Sequence, residues 1–300
     1  MSIPEDFPII DPHVHLWDII KTPRVFTWPK KIFGWNDRSA LGSVGETQWL
    51  ESLFLKSSGI ELGAIVGQVD LESDQLDRWL FAHKTASSKL MGIRQSLLWD
   101  KSKEIMNLCH KEKLTQSKKW RAGFDLLEKH NLLFEACLFN PQLDELNKLA
   151  KSYPNTSLIL EHMGFPIGLG GPYASYGRST SDRNNILEQW QNDIAAVAEN
   201  KNVMVKLSGF FMPLLGWGYH KRDQEPSVNE IVDDCRPMFD FVIQQFGVDR
   251  CMFASNFPMD KVSMKLSTLY DFYWTISEDL SSDDRKKVFY KNAKECYQII

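Results

Sequence analysis

Cysteine is scarce and unpatterned. The five thiols at Cys109, Cys137, Cys235, Cys251 and Cys296 are odd in number and widely spaced, with no Cys-x-x-Cys. That argues against a disulfide framework or a thiolate zinc knot and for free thiols in a reducing compartment. No stretch is apolar enough to span a bilayer, and the opening Met1-Ser2-Ile3-Pro4-Glu5-Asp6 has neither the basic nor the apolar region of a secretory leader. Neither sign of charge dominates: Lys+Arg 35 against Asp+Glu 39 leaves a net charge of -4. No basic stripe with interleaved aromatics is present, which excludes the usual footprint of nucleic-acid binding. A nucleotide cradle is missing as well, because the glycine-rich stretch from Gly164 to Gly171 holds neither Gly-x-Gly-x-x-Gly nor Gly-Lys-Ser/Thr. These absences predict a cytoplasmic protein whose partner is a small molecule, not a nucleic acid or a membrane, with homo-oligomerisation left open.

What remains is an ordinary globular composition, 43% hydrophobic and 25% charged over 300 residues, read here as one domain spanning 1–300. Short β-rich runs cover Ile9 to Asp11, Ala64 to Val69, Leu90 to Arg94, Leu132 to Phe139, Ser157 to Glu161, Val203 to Leu207 and Arg250 to Ala254. Amphipathic stretches lie between several of them, at Ser73 to His83, Pro141 to Ser152, Asn185 to Glu199 and Val228 to Phe246. Repeated strand and helix with near-continuous apolar strands predicts an α/β fold, a parallel sheet covered by helices. An open doubly wound sheet would gather its chemistry at one switch point, whereas a barrel gathers it at the C-terminal ends of many strands. Here polar residues recur at those ends: Asp11 to His15, Arg94, Glu161-His162, Lys206 to Gly209, and Ser255 to Asp260. A (β/α) barrel is therefore expected, with the glycine-rich stretch as a mobile loop over its mouth.

His13 and His15 are the most informative residues. In an extended segment residues two apart point the same way, so two neutral imidazoles can grip one divalent ion. Arg94 at a strand end can hold a substrate carboxylate through its planar fork, and Lys206 is read the same way. Trp17, Trp28 and Tyr173 are candidates for stacking on a ring substrate. His83, His110 and His130 fit solvated or capping positions better, and His220 sits in a rim-like loop.

Asp11-Pro12-His13-Val14-His15-Leu16-Trp17-Asp18, Gly92-Ile93-Arg94-Gln95, Leu160-Glu161-His162-Met163-Gly164, Lys206-Leu207-Ser208-Gly209 and Met252-Phe253-Ala254-Ser255-Asn256-Phe257-Pro258 resemble, in order, the landmarks of the amidohydrolase-related enzymes of the sugar-lactone and pyrone-dicarboxylate lactonase group. The resemblance runs over essentially the whole chain. It implies a distorted (β/α)8 barrel that hydrolyses small lactones or related carbonyl compounds by activated-water attack. It also implies that His13, His15 and His162 surround one divalent, zinc-like metal or its vacated position.

Two departures stand out. Asn256 occupies the place of the last-strand Asp, and a neutral amide cannot act as a base. Asp260, four residues on, supplies the carboxylate if the loop folds back, and otherwise caps the helix starting near Lys261. The second departure is a missing strand between Phe26-Thr27-Trp28-Pro29 and Glu46-Thr47-Gln48-Trp49. Either Arg38 to Val44 replaces it loosely, or the barrel is open there. The expected catalytic residues are thus His162, Asn256 and Asp260, with Arg94, Lys206 and Trp17 on the substrate. A metal-dependent decarboxylase on the same scaffold, or a degenerate barrel that only binds ligand, are the alternatives.

Overall fold

Seven apolar runs became six paired strands and one extended segment. The computed structural model describes residues 3–16, 42–54 and 59–300. β1 (Ile65–Gln68), β2 (Leu90–Arg94), β3 (Leu133–Ala136), β4 (Leu158–Leu160), β5 (Val203–Leu207) and β6 (Cys251–Phe253) pair in chain order, every neighbour parallel. Helices α1 (Gly42–Phe54), α2 (Leu76–Ala86), α3 (Lys118–Lys129), α4 (Leu143–Ser152), α5 (Thr180–Ala198), α6 (Val228–Phe246) and α7 (Leu266–Ile276) cover the outside. The N-terminal segment runs beside the end of β6 through the parallel bridge Val14 to Phe257. Among the described residues no ladder joins that segment to β1. Arg38 to Val44 lies largely outside the described residues, and from Gly42 on it is helix, not strand.

α6 shows why the helices form where the pattern placed them. Ser227 accepts a hydrogen bond from the Glu230 amide while Glu230 reaches back to the Ser227 amide, a capping box that fixes the first turn. Ile231, Cys235, Met238, Phe239, Val242 and Phe246 then recur at helical spacing and are buried, each apolar side chain contributing about 1.5–3 kcal/mol. Gly247 ends the helix with a φ of 76°, open to glycine at little cost.

The interior matters most for function. Leu133, Ile159 and Met252 form a core of their own with Val66, Met204 and Ile10, joined by Ala293, Tyr297 and Ile299 from the C-terminal end. Because side chains alternate along a strand, the residue two further on shares that face. Glu135 follows Leu133, Glu161 follows Ile159 and Lys206 follows Met204, while Arg94 is register partner to Glu135. The same alternation that fills the interior with apolar groups thus raises a layer of four charged residues above them.

Candidate active site

Five backbone and side-chain bonds hold the N-terminal segment where its histidines can act. The Asn256 amide donates to the His13 carbonyl at 2.9 Å, and the His15 amide to the Phe257 carbonyl at 2.8 Å. Asp11 Oδ1 accepts from the amides of Ser255 (2.9 Å) and His13 (3.2 Å), and Ser255 Oγ donates to the His13 carbonyl at 3.4 Å. His13 Nε2 and His15 Nε2 then stand 3.1 Å apart. The His162 ring meets His13 edge on, with centroids 4.5 Å apart.

His162 reaches this position through a left-handed backbone, φ 56°, followed by Met163 at φ 53°. Non-glycine residues adopt that region rarely, and such strain collects at functional sites. Ser208 Oγ lies 2.9 Å from His162 Nδ1 and orients the ring. Gly209 is needed beside it: its φ is +63°, and a Cβ there would stand 2.4 Å from His162 Nδ1. Gly209→Ala is expected to displace the imidazole and to destabilise the protein by about 1–3 kcal/mol. Thermal denaturation and metal content of the purified variant check both effects.

Charge is paired diagonally across the barrel. Lys206 Nζ donates to Glu135 Oε1 at 2.7 Å and lies 3.2 Å from His13 Nδ1. Arg94 Nη2 lies 3.3 Å from Glu161 Oε2 and donates to Cys137 Sγ at 3.3 Å. Burial, helped by the nearby Lys206 and Arg94, holds His13 and His162 well below the usual imidazole range and His15 at about 3, so all three rings are neutral at neutral pH. Burial pushes Glu161 up to about 7, offset in part by Arg94 and reinforced by the like charge of Glu135. For Glu135 burial acts in the same direction, but Lys206 and its hydrogen bonds outweigh it and hold the carboxyl below the usual range.

The donor set fits a divalent cation. His13, Glu161 and His162 each offer a ligand atom, all within 4.8 Å of one another, and both Glu161 oxygens are buried without a hydrogen-bond partner among the described residues. Arg94 answers part of that charge at Oε2, and a buried carboxylate oxygen without a hydrogen bond stays costly unless a further cation meets it. Two nitrogens about 2.0–2.1 Å from one tetrahedral ion stand roughly 3.3–3.4 Å apart, close to the His13 to His15 spacing. An all-histidine set was expected, and Glu161 adds the carboxylate that the sequence reading lacked.

The structure brings together His13, His15, His162, Arg94, Lys206 and Asn256. Asn256, at φ 55°, hydrogen-bonds the His15 side chain and keeps its Nδ2 buried without a partner among the described residues. Asp260 opens the short 3-10 turn Asp260–Val262, fully buried beside Asn256 and the Gly209 and Phe211 backbone, and among the described residues no partner closes a hydrogen bond on either oxygen. Burial raises it to about 8. Lys206 differs from expectation: at 1% exposure it is committed to Glu135 and His13, beneath the site and not at its mouth. Trp17 and Trp28 lie outside the described residues. Tyr173 pairs by backbone with Tyr176.

The glycine-rich stretch is not a mobile loop. Phe165, Ile167 and Leu169 are buried, and the Gly168 and Gly170 amides donate to the carbonyls of Leu214 and Leu215 at 2.9 and 2.8 Å. Its glycines serve close packing, since a Cβ on Gly170 would meet the Trp217 ring at 2.3 Å. His83, expected at a solvated or capping position, is fully buried with Nδ1 2.8 Å from Thr47 Oγ1. His130 does cap α3.

The family pattern described as amidohydrolase matches residues 101–299. The chain belongs to the amidohydrolase family. It is 25% identical to an L-fucono-1,5-lactonase of Burkholderia ambifaria, an alignment covering 97% of this chain and 95% of the relative. Among solved structures, an amidohydrolase of Burkholderia multivorans with bound zinc superposes with a TM-score of 0.67 at 19% identity, over 85% of this chain and 80% of the other. A structure from Pseudomonas putida, provisionally named a 2-pyrone-4,6-dicarboxylic acid hydrolase, gives 0.63 at 14% identity over 97% and 98%. These likenesses show the barrel fold. No helix of this amidohydrolase, among the described residues, is long and apolar enough to cross a membrane.

Proposed function

We propose that this amidohydrolase hydrolyses a small lactone by attack of an activated water. The observation that carries the proposal is the convergence of His13, His162 and Glu161 in one buried cluster, with His15 and Asn256 beside it. The relative named L-fucono-1,5-lactonase supports the substrate class. His13, His162 and Glu161 would hold one zinc-like ion, with His15 adjoining. Such an ion supplies Lewis acidity and lowers the pKa of water toward 7.

The chain's own residues do the rest. Burial keeps the imidazoles neutral, so their lone pairs are available at neutral pH. Asn256 Nδ2, a buried donor without a partner among the described residues, orients the attacking water or the lactone oxygen. Asp260, behind Asn256, receives the proton that Asn256 itself cannot take. Arg94, the most exposed of the four interior charges with 21% of its side chain open, faces the substrate side while its charge is held by Glu161. The five unpaired cysteines support a reducing, cytoplasmic location.

Metal content of protein purified without chelator, measured alongside lactone hydrolysis with a pH indicator, tests this reading. Near-stoichiometric metal and activity lost on chelation are expected. Turnover that survives complete chelation overturns the metal role, and absence of turnover on any sugar lactone overturns the substrate class. Product mass distinguishes gain of water from loss of CO2.

A further inference from the structure

We infer that Tyr297, three residues before the last residue Ile300, is a positioning residue for His13, acting through Glu135 and Lys206. The inference deepens the proposed function, since His13 belongs to that site. α8 (Asn292–Cys296) is fastened by Asn292 Nδ2, which donates to the carbonyls of Val248 (2.7 Å) and Cys251 (2.8 Å). That anchorage delivers the Tyr297 ring, 2% exposed, into the barrel interior. Its hydroxyl donates to Glu135 Oε1 at 2.5 Å, the same oxygen that accepts from Lys206 at 2.7 Å. Lys206 Nζ lies 5.4 Å from the centre of the Tyr297 ring and 3.2 Å from His13 Nδ1.

Four groups from the C-terminal tail, β3, β5 and the N-terminal segment thus form one chain of contacts. Because Lys206 Nζ stands against His13 Nδ1, the direction of the lysine decides where the His13 ring can settle. The direction of Lys206 depends on Glu135, and the direction of Glu135 depends on the phenol, because a charged acceptor with two donors on one oxygen has little freedom. The hydroxyl touches no reacting atom. Its role is to fix the ring orientation of His13 from below, with Nε2 toward His15, as outer partners do for metal-binding histidines.

The test is Tyr297→Phe, which keeps the ring and removes the hydroxyl alone. Long-range proton–nitrogen spectra of 15N-labelled, chelator-treated protein read the His13 ring nitrogens, assigned with a His13→Asn sample. The expected result is a shift of the His13 nitrogens in Tyr297→Phe, with those of the remote His83 and His220 unmoved. In turnover, kcat should fall about tenfold or more with KM nearly constant, as a misplaced catalytic geometry predicts. Glu135→Gln, which weakens the same link one step along, should move the same two nitrogens. Unshifted His13 nitrogens in Tyr297→Phe overturn the inference, as do shifts spread equally over all histidines, which mark general loosening. If the wild-type chain hydrolyses no lactone, the proposed reaction falls, and the nitrogen shifts still decide the role of Tyr297.

Discussion

Alanine in place of His162 is expected to cost at least about 10²-fold in turnover, the scale on which losing one group aimed at the reacting centre is felt. Bound metal should fall with it. Ser208 Oγ would lose its partner at His162 Nδ1, and Glu161 Oε2 would lose the ring nitrogen 3.7 Å away. The buried charge pairs below, Lys206 with Glu135 and Arg94 with Glu161, do not involve the ring, so the fold should survive. Metal content and turnover measured on the same preparation check the expectation, which fails if both are unchanged.

Asp260→Asn should produce the largest change in pH dependence. Folded, Asp260 keeps its proton up to about 8, whereas in the unfolded chain it ionises near 3.8. The unfolded state therefore binds fewer protons between those values, and stability falls as pH rises, by about 1.4 kcal/mol per unit for one proton. The three imidazoles act oppositely below 6.5, where the unfolded chain takes up protons that buried His13, His15 and His162 refuse. Stability of the metal-free protein should thus peak near neutrality. Asparagine removes the alkaline decline, so the melting temperature of the variant should rise relative to wild type progressively from pH 5 to pH 8 (about one net proton's worth of stability per unit). Activity should move the other way. If Asp260 accepts the proton, wild-type turnover rises with pH through about 8, and the variant loses about 10²–10⁴-fold together with that rise. A melting-temperature difference that does not change with pH would sink the assignment of an ionisable, buried Asp260.

The two results are coupled through geometry. Asn256 hydrogen-bonds His15 on one side and borders Asp260 on the other, so the last strand places an amide where the group's usual acid stands and sets the acid one turn later. A substitution at either end changes what the other can do.

Much of this molecule follows from local sequence. Apolar runs of strand length became β1 to β6 in order, with Leu90–Arg94 and Val203–Leu207 at their expected limits, and the helical spacing of Val228–Phe246 gave α6 without adjustment. His13 and His15 face one another because alternation along an extended segment is a local rule. What surrounds them is not local. Glu135 meets Lys206 across 71 positions, Tyr297 across 162, and Lys206 meets His13 across 193. In sequence Glu161 is only the end of an apolar strand, and Lys206 is as plausible on a substrate as on a carboxylate. The fastening of Gly164 to Gly171 likewise depends on distant carbonyls, those of Leu214 and Leu215. Periodicity specifies which face a residue takes, and the sequence by itself determined that. Which charges share the low-dielectric interior, and so which stay paired, neutral or shifted, depends on strand register and closure, and only the tertiary structure decided it.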